Sequence, residues 1–270
     1  MKEGKTESQI RNPKSKIQNP VVFVGAGPGD PELITVKGQN ALKQADLVIY
    51  AGSLVPKELL IWTKSNAKTL SSASMHLQEI IDAIDNAVND GKRVVRLHTG
   101  DPSLYGAIFE QMVELQKRSI PYKVIPGVTA AFAAAAAMGI EFTLPEISQT
   151  LILTRMAGRT PVPEKENLAA LAAHQTSMAI YLSISMIDEV AALLTKAYGK
   201  NAACAVVYRA SQPDEKIIIT RLQDLATDVK KENIKRQALI IVGKVLEISP
   251  GDTVKASKLY DKKFRHGHRR

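Results

Sequence analysis

The stretch VVFVGAGPGD, residues 21–30, decides the fold of this chain. Its β-branched and aromatic residues predict a short buried strand over residues 21–24, and the small residues after it let the chain turn sharply. The same order, an apolar strand followed by a loop of small or polar residues, recurs at residues 46–50, 93–97 and 122–125. Strands that alternate with helical segments are typical of a mostly parallel sheet covered by helices.

The helical segments show in the spacing of apolar residues. Leucine, isoleucine and valine at helical spacing, closed by Gly91, predict a helix over residues 77–90. Two further helices are predicted over residues 105–117 and over the alanine-rich residues 129–138.

The pattern restarts after a loop at residues 139–149. Strands are predicted at residues 150–154, 178–182, 204–208, 216–220 and 237–242, with a helix at 185–198. The short polar loop at residues 209–215 joins two adjacent strands, so we expect a mixed sheet here. We therefore predict an α/β protein with two α/β domains. Its predicted parts are a disordered leader (1–20), an N-terminal domain (21–140), a C-terminal domain (141–254) and a basic tail (255–270).

The net charge of +9 is concentrated at the two ends of the chain. Residues 1–19 carry +3, residues 255–270 carry +6, and residues 20–254 balance to zero. A folded basic face that tracks phosphates is therefore not expected, and we predict no binding of nucleic acid. The basic ends are interpreted as solvated segments or as segments that steer anions.

Cysteine and apolar content limit the class of protein further. A single cysteine among 270 residues excludes an internal disulfide, and no cysteines and histidines are spaced to bind zinc. The longest purely apolar run, residues 130–138, is far shorter than the roughly 18 residues of a membrane span. The polar residues 1–20 lack the apolar core of a secretion signal. We predict a soluble, cytoplasmic protein without a metal site or a membrane partner.

The loop at residues 25–29 has two interpretations. Its glycines suggest a ligand-binding turn, but the spacing is not GxGxxG, and Pro28 removes a backbone N–H that a pyrophosphate would need. The loop therefore favours a ligand without phosphates. Alternatively, it is a tight turn in which Asp30 or Thr35 caps the next helix.

Two other strand-end loops carry polar residues. HTGDP, residues 98–102, places a carboxylate and a glycine where the strands of a parallel sheet end, and these could hold the amine or hydroxyl of a small ligand. PGVTA, residues 126–130, caps a helix with Thr129 and offers a helix N-terminus that attracts carboxylates. Taken singly, Asp101 before proline is as often a turn residue, and His98 is more often packed than catalytic.

Four segments together resemble the tetrapyrrole (corrin/porphyrin) methyltransferases. They are GAGPGDPELITVKG (25–38), RLHTGDPSLYGA (96–107), IPGVTAAFAAAA (125–136) and TRMAGRTPVPE (154–164). The last of them, with YRASQPDEKI (208–217) and SKLYDKKFRHGHR (257–269), is similar to the precorrin-4 C11-methyltransferases of cobalamin synthesis. The resemblance implies two α/β domains of the class III methyltransferase architecture, with S-adenosylmethionine in the cleft between them and, typically, a homodimer.

The resemblance also implies which residues bind the cofactor. In the first domain these are Pro28, Thr99, Gly100, Asp101, Leu104, Thr129 and Ala130. In the second domain Tyr181, Leu182 and the loop at Ala210 would hold the adenosine. The reaction would leave S-adenosylhomocysteine as product.

Methyl transfer from a sulfonium needs no nucleophilic side chain, and Cys204, in an apolar strand, is interpreted as an inert core thiol. The acceptor is a polycarboxylate, so Arg155 and Arg159 are the expected substrate anchors, although both also suit an ordinary surface loop. His98 and Ser53 are candidates for substrate contact or for assisting proton loss.

Three alternatives stay open. One is methylation of another tetrapyrrole position, such as C2 and C7 of uroporphyrinogen III. A second is a nicotinamide-dependent oxidoreductase, disfavoured by Pro28 and by the missing GxGxxG. A third is a nucleic-acid or partner-binding module that works through its basic ends, and it predicts strongly salt-dependent binding.

Overall fold

The structure is a computed structural model, and it describes residues 19–52, 54–249, 251–252, 257 and 264–265. The predicted leader, up to residue 18, and most of the predicted tail lie outside the described residues. The chain divides into two compact units, and the division falls between Thr129 and Ala130 rather than near residue 140. The physical reason is the alanine-rich helix, whose small side chains pack into the core of the second unit.

The first unit contains a parallel sheet. Its strands are β1 (Val21–Gly25), β2 (Leu47–Tyr50), β3 (Lys68–Ser71), β4 (Val94–His98) and β5 (Tyr122–Ile125). They lie in the order β3-β2-β4-β1-β5, and every pairing is parallel. Strand β1, which lies between β4 and β5, is buried along its whole length, as its continuous apolar sequence predicts.

Helices cover both faces of this sheet. They are α1 (Val36–Gln44), α2 (Leu77–Asn89) and α3 (Phe109–Lys117), with 3-10 turns at Pro31–Leu33 and Lys57–Trp62. The helix predicted from residue 105 begins only at Phe109, because Tyr105 and Ala107 adopt left-handed backbone angles that a helix excludes. Strand β3 has mostly exposed residues, so its apolar pattern was too weak to predict it.

The second unit contains a mixed sheet, which confirms the prediction. Its strands are β6 (Leu151–Arg155), β7 (Ser177–Tyr181), β8 (Ala203–Tyr208), β9 (Lys216–Arg221) and β10 (Ala238–Val242). They lie in the order β6-β7-β10-β8-β9. Only β6 and β7 pair in parallel, and the other pairings are antiparallel.

Helices again pack on both faces of the second sheet. They are α4 (Ala130–Met138), α5 (Leu168–Ala172), α6 (Ile187–Tyr198) and α7 (Leu225–Lys231), with 3-10 turns at Glu164–Glu166, Ile184–Met186 and Lys244–Glu247. Cys204 lies in the core beneath α6 and α7, where burial raises the pKa of its thiol to about 12. The prediction that Cys204 is a core thiol is confirmed. In the described part of the chain, no helix is both long and apolar enough to cross a membrane.

Candidate functional site

The loops that follow β1, β4 and β5 touch one another through backbone atoms. A Cβ atom added to Gly25 would lie 2.5 Å from the Gly127 nitrogen and 2.7 Å from the Gly100 oxygen. A Cβ atom added to Gly127 would lie 2.2 Å from the same oxygen. Side-chain atoms do not approach backbone so closely, so glycine at positions 25 and 127 is what allows the three loops to meet.

The Asp101 carboxylate joins two of these loops. Its Oδ2 accepts a hydrogen bond of 3.0 Å from the backbone nitrogen of Gly127, and its Oδ1 accepts one of 2.8 Å from that of Ser103. Hydrogen bonds to a charged acceptor are stronger than neutral ones. Each carboxylate oxygen has a further lone pair, so holding the loops leaves Asp101 able to accept a hydrogen bond from a ligand.

The glycine-rich loop after β1 satisfies its own backbone. Gly27 and Gly100 exchange backbone hydrogen bonds of 3.3 and 2.8 Å. Asp30 caps the first 3-10 turn and Thr35 caps α1, which confirms the interpretation of these two residues as caps. Because the N–H of Gly27 is used and Pro28 has none, the loop does not form a phosphate cradle.

A strained turn lies between β4 and α3. Tyr105 and Ala107 have φ angles of 55° and 48°, and such conformations cost about 1–3 kcal/mol each in residues other than glycine. A Cβ atom at Gly106 would lie 2.1 Å from the Pro102 oxygen. Strained backbone of this kind is concentrated at binding sites, and the half-buried Leu104 is part of the turn.

Two polar side chains of β4 are buried on one face of the sheet. Arg96 is 5% and His98 4% exposed, and alternate strand residues share a face. Burial lowers the pKa of Arg96 to about 10. Burial, and then the Arg96 charge, lowers the pKa of His98 to about 3. His98 is therefore a neutral imidazole near neutral pH, suited to hydrogen bonding rather than to accepting a proton.

In the second unit, β7 ends in the predicted pair Tyr181 and Leu182. The Tyr181 hydroxyl accepts a hydrogen bond of 3.0 Å from the backbone nitrogen of Ala131, in the first turn of α4. Leu182 has a φ of 54° and is 64% exposed. A strained and exposed leucine offers an apolar surface to a ligand.

The loop after β8 has a similar distortion around the predicted Ala210. Its neighbours Arg209 and Ser211 have φ angles of 49° and 66°, while Ala210 itself is buried. Arg209 is held by Asp214 at 2.6 Å and by Gln212 at 2.7 Å. The backbone at Ala210 is thus fixed in place by its neighbours.

The two predicted substrate anchors, Arg155 and Arg159, are in different situations. The Arg155 guanidinium donates to the carbonyl oxygens of Met156 at 3.3 Å, Thr160 at 2.9 Å and Pro161 at 2.8 Å. It therefore closes its own loop. Arg159 is exposed and has no hydrogen bond or ion pair with any residue that the structure describes.

The structure brings most predicted residues of the first unit to one edge of its sheet. These are Pro28, Thr99, Gly100, Asp101, Leu104 and Thr129. Ala130 begins α4 of the second unit, and Ser53 lies outside the described residues. Sequence reasoning missed Arg96 and its partner Gln111, although a cation inside the apolar strand VVRLH was a usable signal.

The side chains of the described ranges were also compared with the usual arrangement of metal ligands. No three His, Cys, Asp or Glu residues among them are placed to hold a metal ion.

Comparison with known proteins gives matches that extend over both units. The sequence model of the family described as Tetrapyrrole (Corrin/Porphyrin) Methylases matches residues 20–226. The cobalt-precorrin-4 C(11)-methyltransferase of Methanocaldococcus jannaschii is 57% identical over 251 residues, which are 93% of this chain and 96% of that protein.

Solved structures agree with the sequence match. The structure of cobalt precorrin-4 methyltransferase, a cobalamin biosynthetic enzyme, has a TM-score of 0.82 and 46% identity, and the match covers 84% of this chain and 95% of that one. Uroporphyrin-III C-methyl transferase from Thermus thermophilus, complexed with S-adenyl homocysteine, has a TM-score of 0.68 and 26% identity over 84% of this chain and 93% of that one. The chain therefore belongs to the tetrapyrrole (corrin/porphyrin) methylases.

Proposed function

We propose that this chain transfers a methyl group from S-adenosylmethionine to C11 of cobalt-precorrin-4 or precorrin-4 in cobalamin biosynthesis. The products are the corresponding precorrin-5 and S-adenosylhomocysteine. The observation that carries the proposal is the 57% identity to a cobalt-precorrin-4 C(11)-methyltransferase over nearly the whole of both chains. Methylation of uroporphyrinogen III at C2 and C7 is less favoured, because the uroporphyrin enzyme matches at a TM-score of 0.68 against 0.82.

The strand-end loops of the first unit fit a sulfonium amino acid better than a nucleotide phosphate. We assign Pro28, Thr99, Gly100, Asp101, Leu104 and Thr129 of the first unit, and Ala130 at the start of α4, to the cofactor site. The remaining lone pairs of Asp101 would accept hydrogen bonds from an ammonium or hydroxyl group of the cofactor.

The adenosine part of the cofactor is assigned to the second unit. Leu182 would contact the adenine ring through its exposed side chain, and Tyr181 and Ala210 would offer backbone groups. The left-handed backbone conformation at Leu182 supports this assignment. Such a conformation is unfavourable for leucine, and residues of this kind are concentrated at binding sites.

When bound, S-adenosylmethionine supplies a methyl group already activated by the sulfonium charge. The chain then has to orient the reactants and exclude water rather than supply a nucleophile. His98 would hydrogen-bond the acceptor as a neutral imidazole, since its pKa of about 3 makes it a weak base. Ser53 remains a predicted substrate contact.

The acceptor carboxylates would meet the loop after β6. Arg159 would bind a carboxylate directly, because its guanidinium is exposed and has no partner in the described part of the chain. Arg155 would act as a positioning residue, since its hydrogen bonds hold the loop that carries Arg159.

The test is an anaerobic incubation with cobalt-precorrin-4 and methyl-labelled S-adenosylmethionine, with the position of the label read by carbon NMR. We expect a single label at C11. Parallel reactions with metal-free precorrin-4 and with uroporphyrinogen III show which acceptor is preferred. Label at another carbon would overturn the regiochemistry, and absence of transfer despite binding of S-adenosylhomocysteine would overturn the acceptor.

A homodimer is also part of the proposal. The edge strand β9 exposes Ile217 and Ile219, and an apolar edge strand is a surface that proteins usually cover. Sedimentation equilibrium should give twice the mass of the chain, and a monomer at micromolar concentration would contradict this part.

A further inference from the structure

A pocket of 430 Å³ lies entirely within the first unit, beside the end of β4. Its wall is partly apolar, with Leu54, Met75 and Leu77, and partly polar, with Arg96 and His98. The two polar residues belong to the layer between the sheet and the helices α2 and α3, which is otherwise a hydrophobic core. A buried cation and a buried imidazole in such a layer are costly unless something pairs with them.

The Arg96 guanidinium is only partly satisfied by the protein. Nε donates to Gln111 Oε1 at 3.1 Å, and Nη1 donates to the carbonyl oxygens of Ile49 at 3.2 Å and Leu97 at 3.4 Å. Nη2 makes no hydrogen bond to any described residue, and none of them places a carboxylate within 4.0 Å of the guanidinium. Two N–H donors of a buried positive charge therefore remain for a ligand.

The imidazole of His98 is a second buried polar group with an unused hydrogen-bonding atom. Its Nε2 is buried and has no hydrogen bond, while its ring packs 5.9 Å from the ring of Phe23. A neutral imidazole that carries its proton on Nε2 is a hydrogen-bond donor. Arg96 and His98 stand two residues apart on one strand face, so their unused donors serve the same pocket.

We propose that this pocket binds one carboxylate-bearing side arm of the tetrapyrrole acceptor, with Arg96 and His98 as the hydrogen-bond donors. The inference rests on the proposed function, adds Arg96 as a substrate contact, and specifies a carboxylate as the partner of His98. A carboxylate would pair the buried charge of Arg96, and the apolar wall would lie along the edge of the ring that carries the arm.

Two other carboxylates could pair with Arg96. One is the side chain of Glu110, which lines the pocket, and the other is the carboxylate of the cofactor. Glu110 is exposed and forms no ion pair with Arg96. The methionine carboxylate of the cofactor is accompanied by an ammonium group on the adjacent carbon, which would be repelled by Arg96. The acceptor is therefore the better source.

The probe is uroporphyrin III, a stable polycarboxylate tetrapyrrole, titrated into the full chain with S-adenosylhomocysteine present and followed by fluorescence. Arg96→Met should weaken its binding by about tenfold or more, and His98→Leu by a smaller factor. Arg96→Lys, which keeps the charge but loses the planar fork, should fall between wild type and Arg96→Met. Calorimetric binding of S-adenosylhomocysteine should stay unchanged in all three variants.

Two controls separate this site from general charge effects. Arg236→Met removes the same charge from an exposed position of the second unit and should leave porphyrin affinity unchanged. Glu110→Gln should leave it unchanged or increase it, because it removes a negative charge from the pocket. If Arg96→Met does not fold, Arg96→Lys and His98→Leu carry the test alone.

The outcomes distinguish this inference from the proposed function. Unchanged porphyrin affinity in folded Arg96 and His98 variants overturns the inference, and so does a loss confined to S-adenosylhomocysteine. If the wild type labels C11 but these variants bind uroporphyrin normally, only the inference fails. If binding depends on Arg96 but no label reaches C11, only the proposed function fails.

Discussion

The two units differ in how closely the backbones of their strand-end loops approach one another. In the first unit, the loops after β1, β4 and β5 meet through bare backbone at Gly25, Gly100 and Gly127. In the second unit, side chains join the loops after β6 and β7. Ser183 Oγ accepts a hydrogen bond of 2.9 Å from the backbone nitrogen of Met156 and donates one of 2.7 Å to the backbone carbonyl oxygen of Tyr181.

The difference follows from the two sheets. All strands of the first sheet run parallel, so their carboxyl ends share one edge and the loops are forced into contact. In the second sheet only β6 and β7 are parallel neighbours, so fewer loops share an edge and side chains have room between them. Substitutions that add atoms to the loops should therefore destabilise the first unit. Substitutions that remove side-chain atoms from the loops should destabilise the second unit.

The largest effect is expected from adding one methyl group to the first unit. Gly127→Ala places a Cβ atom 2.2 Å from the Gly100 oxygen. The loops have to separate, so we expect the free energy of unfolding to fall by about 3 kcal/mol or more and the binding of S-adenosylhomocysteine to be lost. Urea denaturation and calorimetry measure the two effects.

The matched control is Gly158→Ala, in the loop after β6 of the second unit. There the nearest atom to the new Cβ would be Met186 Cε at 3.5 Å, an ordinary contact. We expect a change within about 0.5 kcal/mol. Equal effects of the two substitutions would refute the contrast between the units.

The next effect concerns Asp101, a side chain that joins loops in the first unit. Asp101→Asn keeps one acceptor oxygen but loses the charge and one of the hydrogen bonds from Gly127 and Ser103. We expect a loss of about 2 kcal/mol in stability and weaker binding of S-adenosylhomocysteine. Asp188→Asn, which breaks the exposed pair of Asp188 with Lys230, is the control and should change neither quantity.

The sequence allowed the strands, and the loops that follow them, to be predicted, because apolar runs and small-residue loops are local signals. Strand β1 and the loop containing Asp101 are examples. The closeness of Gly25 to Gly127 could not be predicted, since it depends on strands far apart in the chain being neighbours in the sheet. Nor could the role of Arg155, because an arginine that binds a carboxylate and one that closes its own loop have the same sequence pattern.

A smaller effect should separate Arg159 from Arg155. Arg159→Ala removes an exposed guanidinium, so we expect the KM for the tetrapyrrole to rise by about three- to tenfold while stability changes by less than about 0.5 kcal/mol. Arg155→Ala releases three backbone carbonyl oxygens, so stability should fall by about 1 kcal/mol and the KM should rise as well. Steady-state kinetics and urea denaturation test both. A KM that responds to neither variant would remove this loop from the substrate site.

A last effect, which should leave the site unchanged, is expected where the strands of the first sheet begin. There Asp46 accepts a hydrogen bond from Lys64, and further ones from the backbone and side chain of Arg93, which lower the pKa of Asp46 from 3.8 to about 2. Because the folded carboxyl binds its proton more weakly than the unfolded one, its stabilisation is complete above pH 3.8 and is lost as the pH falls through about 2.

Asp46→Asn should therefore lower the stability of the first unit by about 1 kcal/mol near neutral pH, and the difference from wild type should disappear near pH 2. Binding of S-adenosylhomocysteine should be unchanged, because Asp46 lies at the amino-terminal end of β2 and the loops of the site follow the carboxyl ends of the strands. Hydrogen exchange of the β2 and β4 amides as a function of pH measures the effect. If the difference in stability between wild type and Asp46→Asn persisted at low pH, the charge of Asp46 would not be its cause. A loss of S-adenosylhomocysteine binding would mean that the two ends of the strands are coupled.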